Sequence, residues 1–218
     1  MYIEVKDYSK TIKGSTVLDH VDVRFESGKI YGLKGKNGSG KTMLMRAISG
    51  LITPTSGQVI INEEILGKEI SFPRSIGVLI ENPAFISEYT GKNNLQVLAS
   101  IQNKIDSERI NETLREVGLE PDDKRTYKKY SLGMKQRLGI AAAIMENPDI
   151  VILDEPINAL DESGAMQVRE ILKKTKERGA IVILACHDSQ ELEFLTDEII
   201  TISDGKIVKN NNLDKAQG

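Results

Sequence analysis

The chain has 218 residues, of which 28% are charged, and its formal net charge is −3 at pH 7. This length allows a sizeable core in one large domain or two small ones, and the near balance of charge argues against a nucleic-acid-binding protein. The longest apolar stretch, residues 180–186, has seven residues, whereas a helix needs about twenty to cross a membrane. The single cysteine excludes an intramolecular disulfide and is typical of a reducing compartment. We therefore expect a cytoplasmic protein that reaches a membrane only through a partner.

The first part of the chain is predicted to be rich in β-strands. Apolar and charged residues alternate around Val5 and Val23, which is the two-residue period of a half-buried strand. Turns rich in glycine or proline separate such segments. The predicted strands cover residues 2–5, 21–26, 29–33, 58–61 and 76–80, and a helix is predicted over residues 42–49, ending at Gly50.

The middle of the chain, about residues 90–147, is predicted to be helical. Asp106 is a suitable N-cap residue and Gly118 a suitable stop for one helix. A polar segment, residues 121–129, predicts a loop, and a further helix is predicted over residues 132–146.

Beyond Asp149, apolar strands alternate with helices, which indicates a parallel sheet flanked by helices. Asp204-Gly205 is a strong hairpin signal. The predicted strands cover residues 150–153, 180–185, 198–202 and 206–208, and the predicted helices cover residues 164–177 and 189–195.

The segment Gly35-Lys36-Asn37-Gly38-Ser39-Gly40-Lys41-Thr42 matches G-x-x-x-x-G-K-[ST], the phosphate-binding P-loop. Glycines let successive backbone N–H groups close on polyphosphate oxygens. Lys41 can reach the β- and γ-phosphates, and the Thr42 hydroxyl can ligate Mg²⁺. A predicted strand before the loop and a helix after it supply the required context, because the positive end of the helix dipole favours an anion. The loop therefore predicts binding of a nucleotide with Mg²⁺.

A second element of the site is predicted where the apolar strand 150–153 runs into two carboxylates, Asp154 and Glu155. The carboxyl end of a buried parallel strand is where ligands bind. Asp154 is placed to hold Mg²⁺, directly or through water. Glu155 is placed to polarise an attacking water. The pair predicts hydrolysis of the bound nucleotide.

His187 follows another buried strand and is a candidate for contacting the γ-phosphate. Its neighbour Cys186 suggests a Cys-His nucleophile only superficially, because adjacent strand residues point to opposite faces. We interpret Cys186 as a small apolar core residue.

The segment Tyr130-Ser131-Leu132-Gly133-Met134-Lys135-Gln136-Arg137 resembles L-S-G-G-Q-x-Q-R, the signature of ATP-binding-cassette (ABC) transporter ATPases. Asn158-Ala159-Leu160-Asp161 is similar to the D-loop of that family, and His187 falls at its switch histidine. The motifs occur in the family's order and the resemblance covers essentially the whole chain.

The resemblance implies a head-to-tail dimer, of two identical or two different subunits, with two ATP molecules at the interface. Each ATP would meet residues 35–42, Asp154, Glu155 and His187 of one subunit, and Ser131 and Gly133 of the other. Asp161 would lie beside the nucleotide. A helix N-terminus at Ser131 would offer N–H donors and a positive dipole to the γ-phosphate.

The implied fold is an α/β P-loop NTPase with a mainly parallel core sheet, an N-terminal antiparallel β subdomain and a helical subdomain that carries the signature. The whole chain would form a single ATPase domain. Its nucleotide-binding core, with the β subdomain, would span about residues 1–89 and 148–210, and its helical subdomain about residues 90–147. Residues 209–218 would form a polar tail.

The chain departs from the family at several positions. Glu81 stands where the family has a glutamine that touches Mg²⁺ and senses the membrane subunit, and a glutamate there still predicts a metal ligand. Ile12 falls where an aromatic residue stacks on adenine, and Tyr8 is the alternative ring. Leu132 and Met134 also replace signature residues. The variants at residues 81–83 and 131–136 resemble exporters of antimicrobial peptides, of the bacitracin and lantibiotic self-protection type.

Two rival classes of protein share features with this sequence. Asn103-Lys104-Ile105-Asp106 matches the guanine-reading N-K-x-D of GTPases, but those proteins also need a D-x-x-G before it, and no aspartate lies between Asp22 and Asp106. The GTPase interpretation therefore fails. The other alternative is a non-transport ABC ATPase acting on ribosomes or DNA, which typically has two fused cassettes or a long coiled coil.

A transporter subunit implies a separate membrane permease. In this family it docks near the segment from Asn82 to Leu95, which places two aromatic residues, Phe85 and Tyr89, in a predicted loop. The competing interpretation is that both rings pack in a helical core. The expected location is the inner face of the cell membrane, through the permease.

Overall fold

The computed structural model of the protein describes residues 1–186 and 189–210. Its strands are β1 (Tyr2–Ile12), β2 (Ser15–Glu26), β3 (Lys29–Lys34), β4 (Ser56–Ile61), β5 (Glu64–Ile65), β6 (Ile76–Leu79), β7 (Ile150–Asp154), β8 (Ile181–Ala185), β9 (Glu198–Ser203) and β10 (Lys206–Asn210). Its helices are α1 (Lys41–Ile48), α2 (Gly91–Gln102), α3 (Ser107–Glu116), α4 (Leu132–Ile144), α5 (Glu162–Glu177) and α6 (Ser189–Leu195), and a 3₁₀ turn covers Tyr127–Lys129.

The larger sheet has the strand order β10-β9-β3-β8-β7-β6. β10 is antiparallel to β9, and all other neighbouring strands are parallel. β7 and β8 are buried on both faces, which explains their continuous apolar sequences. Ala185 pairs with Leu33 on one side and with Asp154 on the other. The ends of β3 and β7 therefore lie at the same edge of the sheet, and this edge carries the P-loop.

The smaller sheet is antiparallel, with the order β2-β1-β4-β5. One hydrophobic cluster packs the two sheets and α1 together, and within it the rings of Phe25 and Tyr31 meet edge to face at 5.0 Å. A second cluster packs α2 to α5 on the opposite face of the larger sheet. Successive residues of β7 belong to different clusters: Ile152 lies in the cluster between the two sheets, and Leu153 lies in the helical cluster. The two-residue period of a strand requires this alternation. The predicted α/β fold with its two sheets is confirmed.

The predicted elements differ from the observed ones chiefly in length. β1 continues to Ile12, although its alternation fails at Lys6 and Asp7, because β2 and β4 pair with it on both sides and a register shift at Asp7 (φ 47°) absorbs the irregularity. The predicted cap of α3 is confirmed, since the Asp106 carboxylate accepts the Arg109 N–H at 2.9 Å. The polar segment before α4, predicted to be a loop, ends in the 3₁₀ turn.

Gly77 lies in the middle of β6, and we expect its replacement by alanine to be strongly destabilising. A Cβ at this position would overlap the backbone carbonyl of Ala143 in α4, which neither element can avoid without moving apart. Overpacking of this kind costs about 3 kcal/mol, or on the order of 10 °C in melting temperature for a chain of this size.

The matched control is Gly14→Ala in the β1–β2 turn, where φ is 82° but no atom lies within 4 Å of the added Cβ. Only backbone strain applies there, so we expect a loss of about 1 kcal/mol. The measurement is thermal unfolding followed by circular dichroism. A Gly77→Ala protein that melts within 2 °C of the wild type would contradict the close packing of β6 on α4.

Candidate nucleotide-binding site

The predicted P-loop, residues 35–42, connects β3 to α1 at the edge of the larger sheet. Gly40 caps α1 with φ 111°, a conformation that favours glycine. The Lys41 side chain is only 7% exposed, and its Nζ donates to the carbonyl oxygens of Gly35 at 2.7 Å and Lys36 at 3.2 Å. The ammonium group therefore sits across the loop, where a bound phosphate would meet it.

Close packing explains the first glycine of the loop. A Cβ at Gly35 would collide with the Ile202 carbonyl oxygen of β9 and with Ser39 Oγ. The Ser39 hydroxyl is itself buried and has no hydrogen-bond partner within the part of the chain that the structure describes. A polar ligand at the loop would satisfy this atom, whose burial otherwise costs free energy.

The sequence-predicted metal ligands Thr42 and Asp154 lie together. Thr42 Oγ1, in the first turn of α1, donates to Asp154 Oδ2, at the end of β7, over 2.9 Å. These are the hard oxygen donors that Mg²⁺ prefers, and Mg²⁺ typically takes one or two protein oxygens and completes its shell with phosphates and water. Within residues 1–186 and 189–210 no group of three or more His, Cys, Asp or Glu side chains is placed to hold a metal. The arrangement therefore fits a metal that arrives with a polyphosphate.

A cleft of about 450 Å³ opens beside the loop. Glu155 lines it next to Asp154, and its role in polarising water stays a prediction. Its backbone has φ 52°, a left-handed conformation that is uncommon for residues other than glycine. The full lining is Val17, Asn37, Gly38, Ser39, Gly40, Lys41, Thr42, Met43, Asp154 and Glu155.

Glu81, a predicted metal ligand, forms an ion pair with Arg46 in the structure. Its Oε1 lies 2.7 Å from Nη2 of Arg46, which follows Thr42 by one turn of α1, and its side chain is 61% exposed. Glu81 does not line the cleft. Its assignment as a metal ligand remains a prediction.

Neither of the residues expected near the adenine lines the cleft. Ile12 ends β1, paired with Ser15, and does not line the cleft. Tyr8 is 1% exposed and packs in the core, where burial raises its pKa to about 12, so a base cannot stack on this ring. The residue that does line the cleft is Val17, which sequence reasoning missed. Val17 reaches the cleft because the hairpin of β1 and β2 lies over Gly40. A single sequence carries no signal for this placement.

Ser131 and Gly133 lie at the N-terminus of α4. The Ser131 hydroxyl accepts the Met134 N–H at 3.2 Å, as an N-cap does, and Ser131 is exposed. Neither residue lines the P-loop cleft of its own chain. Asp161 caps α5, and the hydrogen bond from the Gly164 N–H lowers the pKa of its carboxyl group. One chain therefore does not bring Ser131 to the P-loop.

Two remaining predictions concern the end of β8. Cys186 is buried in the hydrophobic core, as expected. His187 lies outside the described residues, so its predicted contact with the γ-phosphate stays a prediction. Across the described ranges, none of the helices is both long and apolar enough to span a bilayer.

Comparison with known proteins gives a consistent result. Residues 18–158 match the family model for ABC transporters. An uncharacterized ABC transporter ATP-binding protein of Bacillus subtilis, YybJ, is 47% identical over 94% of both chains. The bacitracin transport ATP-binding protein BcrA of Enterococcus faecalis is 38% identical over 97% of this chain and 69% of its own.

A solved ATP-binding subunit of an ABC transporter superposes with a TM-score of 0.89 at 28% identity and covers 100% of this chain and 92% of its own. The predicted resemblance to the bacitracin branch and the predicted cassette fold are both confirmed. None of these relatives supports the alternative of an ATPase that acts on ribosomes or DNA. The chain belongs to the ABC transporter family, as an ATP-binding subunit that hydrolyses ATP.

Proposed function

We propose that the cleft beside the P-loop is where ATP is bound and hydrolysed. The observation that carries this proposal is the 2.9 Å contact between Thr42 and Asp154, which joins the end of β7 to the P-loop helix. On binding, the Lys41 ammonium would exchange its two carbonyl partners for β- and γ-phosphate oxygens. The backbone N–H groups of residues 35–42 would hold the remaining oxygens.

Thr42 and Asp154 would hold Mg²⁺, with Glu81 as a further ligand if it leaves Arg46. When bound, the ion supplies positive charge that neutralises the phosphate oxygens. Glu155 would take a proton from the attacking water while the water oxygen bonds to the γ-phosphorus. The bond between the γ-phosphorus and the β-phosphate oxygen would break, leaving ADP and phosphate. His187 would contact the γ-phosphate.

We infer that a second cassette completes this site. Ser131 and Gly133 are at the exposed N-terminus of α4, away from the P-loop cleft of their own chain. Helix N-termini bind anions because their first N–H groups lack partners within the helix. The γ-phosphate of an ATP held by another subunit is the ligand that the family resemblance assigns to this terminus. The second subunit is another copy of this chain or a related ATPase subunit, and Asp161 would lie at the interface between them.

We further propose that a membrane permease docks on the segment from Asn82 to Leu95. Phe85 is partly buried and its ring meets that of Tyr127 edge to face at 5.3 Å, so it belongs to the core, as the competing interpretation held. Tyr89 and Ile86, by contrast, are 42% and 43% exposed. They would sit where the helical subdomain, about residues 90–147, adjoins the nucleotide-binding core. Docking there would hold the protein at the inner face of the membrane.

The proposed cargo is an antimicrobial peptide that the transporter exports. Support comes from the 38% identity with a protein named for bacitracin transport and from the variants at residues 81–83 and 131–136 that resemble this branch. Transport would follow from ATP-driven closure of the two cassettes and their release after hydrolysis.

Co-purification tests this function. The tagged protein, expressed with the membrane proteins encoded beside it and extracted in mild detergent, should recover a hydrophobic permease. Tyr89→Asp should lower the recovery on the order of tenfold, because a charge at a desolvated contact costs at least 1 to 2 kcal/mol. Val208→Asp, at an exposed apolar position on β10 (59% exposed), is the matched control and should leave recovery unchanged. Recovery of ribosomes or DNA in place of a permease would overturn the proposal.

A further inference from the structure

The helix that begins at the signature, α4, also contacts the segment that follows β7 in the same chain. We call this segment, residues 155–161, the Glu155 turn. Gln136 Nε2 donates to the Glu155 carbonyl oxygen at 2.8 Å, and Arg137 Nη2 lies 3.2 Å from Asp161 Oδ1. Gly133 lies so close to the Ala159 carbonyl that an added Cβ would be 2.9 Å from its oxygen. One helix thus contacts the beginning, the middle and the end of the turn.

The Glu155 turn has a backbone that its own sequence does not favour. Glu155 has φ 52° and Ala159 has φ 63°, and a left-handed conformation costs a non-glycine residue about 1 to 2 kcal/mol. Such residues persist only where surrounding contacts hold them. The backbone of Glu155 is held by the Ala185 carbonyl, which accepts its N–H at 3.0 Å, and by the donors to its own carbonyl, Gln136 and the Asn158 N–H at 3.2 Å.

The contact from Gln136 bears on the direction of the Cα–Cβ bond of Glu155. The amide on the N-terminal side of Glu155 is held by the sheet, through Ala185 of β8. The amide on its C-terminal side is held by Asn158, which belongs to the turn itself, and by Gln136, which does not. Loss of Gln136 would leave this second peptide free to rotate with the turn, and the Cα–Cβ direction would rotate with it.

Arg137 fixes α4 against the rest of the chain beside this contact. Its side chain is only 14% exposed, and a Cβ at either Gly118 or Gly164 would collide with its guanidinium. The two glycines thus make room for it. Besides Asp161, the guanidinium donates to the Val117 carbonyl at 2.7 Å and to the Gln167 side chain. These contacts hold α4 in register with α3 and α5, so that Gln136 is presented to Glu155 in one orientation.

From these contacts we propose that Gln136 is a positioning residue for Glu155. It acts on the backbone carbonyl of Glu155 and does not touch the substrate. Because Ser131 caps the helix that carries Gln136, α4 would connect the hydrolytic carboxylate of one ATP site to the helix terminus that serves the other site. This inference rests on the proposed function, which assigns Glu155 and Ser131 to those two sites.

Gln136→Leu tests the proposal, since leucine keeps the helix propensity and much of the volume of glutamine but cannot donate. We expect kcat for ATP to fall on the order of 10- to 100-fold, the effect of a small misplacement of a reacting group. The dissociation constant for Mg-ATP should stay within twofold, because the P-loop is untouched. Gln136→Glu, which keeps the shape but also cannot donate, should behave alike and covers the case in which the leucine variant fails to fold. Gln96→Leu on α2, whose amide makes only an exposed 3.4 Å contact with Ser107, is the matched control and should retain wild-type kcat.

A second comparison separates positioning from general damage. In a Glu155→Gln background, Gln136→Leu should change the residual single-turnover rate by less than twofold, since there is no carboxylate left to position. Two results would overturn the positioning role of Gln136 and leave the proposed function intact. One is an equal loss of turnover from Gln136→Leu in the wild-type and Glu155→Gln backgrounds. The other is a kcat within twofold of the wild type for both Gln136 variants. An absence of ATP turnover in the wild-type protein would overturn the proposed function, and this inference with it.

Discussion

Replacement of Glu155 by glutamine is expected to lower kcat for ATP by a factor on the order of 10² to 10⁴, the contribution of a general base. Glutamine keeps the size of the side chain but cannot accept the proton of the attacking water. The contacts of the P-loop remain, including the 2.9 Å Thr42–Asp154 contact and the buried Lys41. ATP affinity should therefore stay within a few-fold of the wild type.

This variant should also accumulate as a dimer when ATP is present. If ATP joins two subunits and only hydrolysis releases them, blocking hydrolysis leaves the closed state populated. Gel filtration with light scattering, with and without Mg-ATP, measures the shift, and ³²P release measures turnover. Glu162→Gln makes the same change seven residues later, at an exposed position in the first turn of α5, and should behave like the wild type. Wild-type turnover by Glu155→Gln would remove Glu155 as the base.

Replacement of Lys41 by methionine is expected to weaken ATP binding about a hundredfold, equivalent to roughly 3 kcal/mol. Lys41 is 7% exposed and donates across the loop to Gly35 and Lys36. Methionine retains the unbranched stem, so the loop keeps its packing, but the phosphates lose a cation that is held in a desolvated position. Charge-assisted contacts of this kind are about twice as strong as neutral ones.

Titration calorimetry with Mg-ATP measures this loss. Lys34→Met removes the same charge at the end of β3, one residue before the loop, where Lys34 makes only an exposed 3.4 Å ion pair with Glu193. We expect that control to change affinity less than threefold, because exposed charges are screened and contribute little. Equal losses in the two variants would mean that general electrostatic attraction, and not a placed ammonium group, accounts for phosphate binding.

The motifs could be predicted because their chemistry is local. The P-loop needs glycine, lysine and threonine at set positions over eight successive residues, and Asp154 and Glu155 are adjacent in the chain. β7 and β8 could be predicted because burial on both faces requires apolar residues throughout. Caps could be predicted for a similar reason, as at Asp106, since one side chain satisfies an N–H three residues away.

The errors and omissions concern contacts between residues far apart in the chain. The alternation of β1 fails after Val5, yet the strand continues because β2 and β4 flank it. The Tyr8 ring, the alternative partner for the adenine, is buried in the cluster that packs the two sheets and α1 together. The Arg46–Glu81 pair joins residues 35 apart, and the Gln136–Glu155 contact joins residues 19 apart. No periodicity or motif encodes such pairings.

The sequence by itself determined membership of one ATPase family, and it predicted the chemistry: a phosphate-binding loop, a metal-binding carboxylate and a neighbouring base. Each depends on residue types at short, fixed spacing, so the covalent chain alone constrains them. Only the tertiary structure decided which groups meet. The parallel register around Ala185 brings β3 and β7 to one edge and so joins Thr42 to Asp154. The packing of α4 joins Gln136 to Glu155, because that contact depends on the relative placement of elements that burial of the shared core sets.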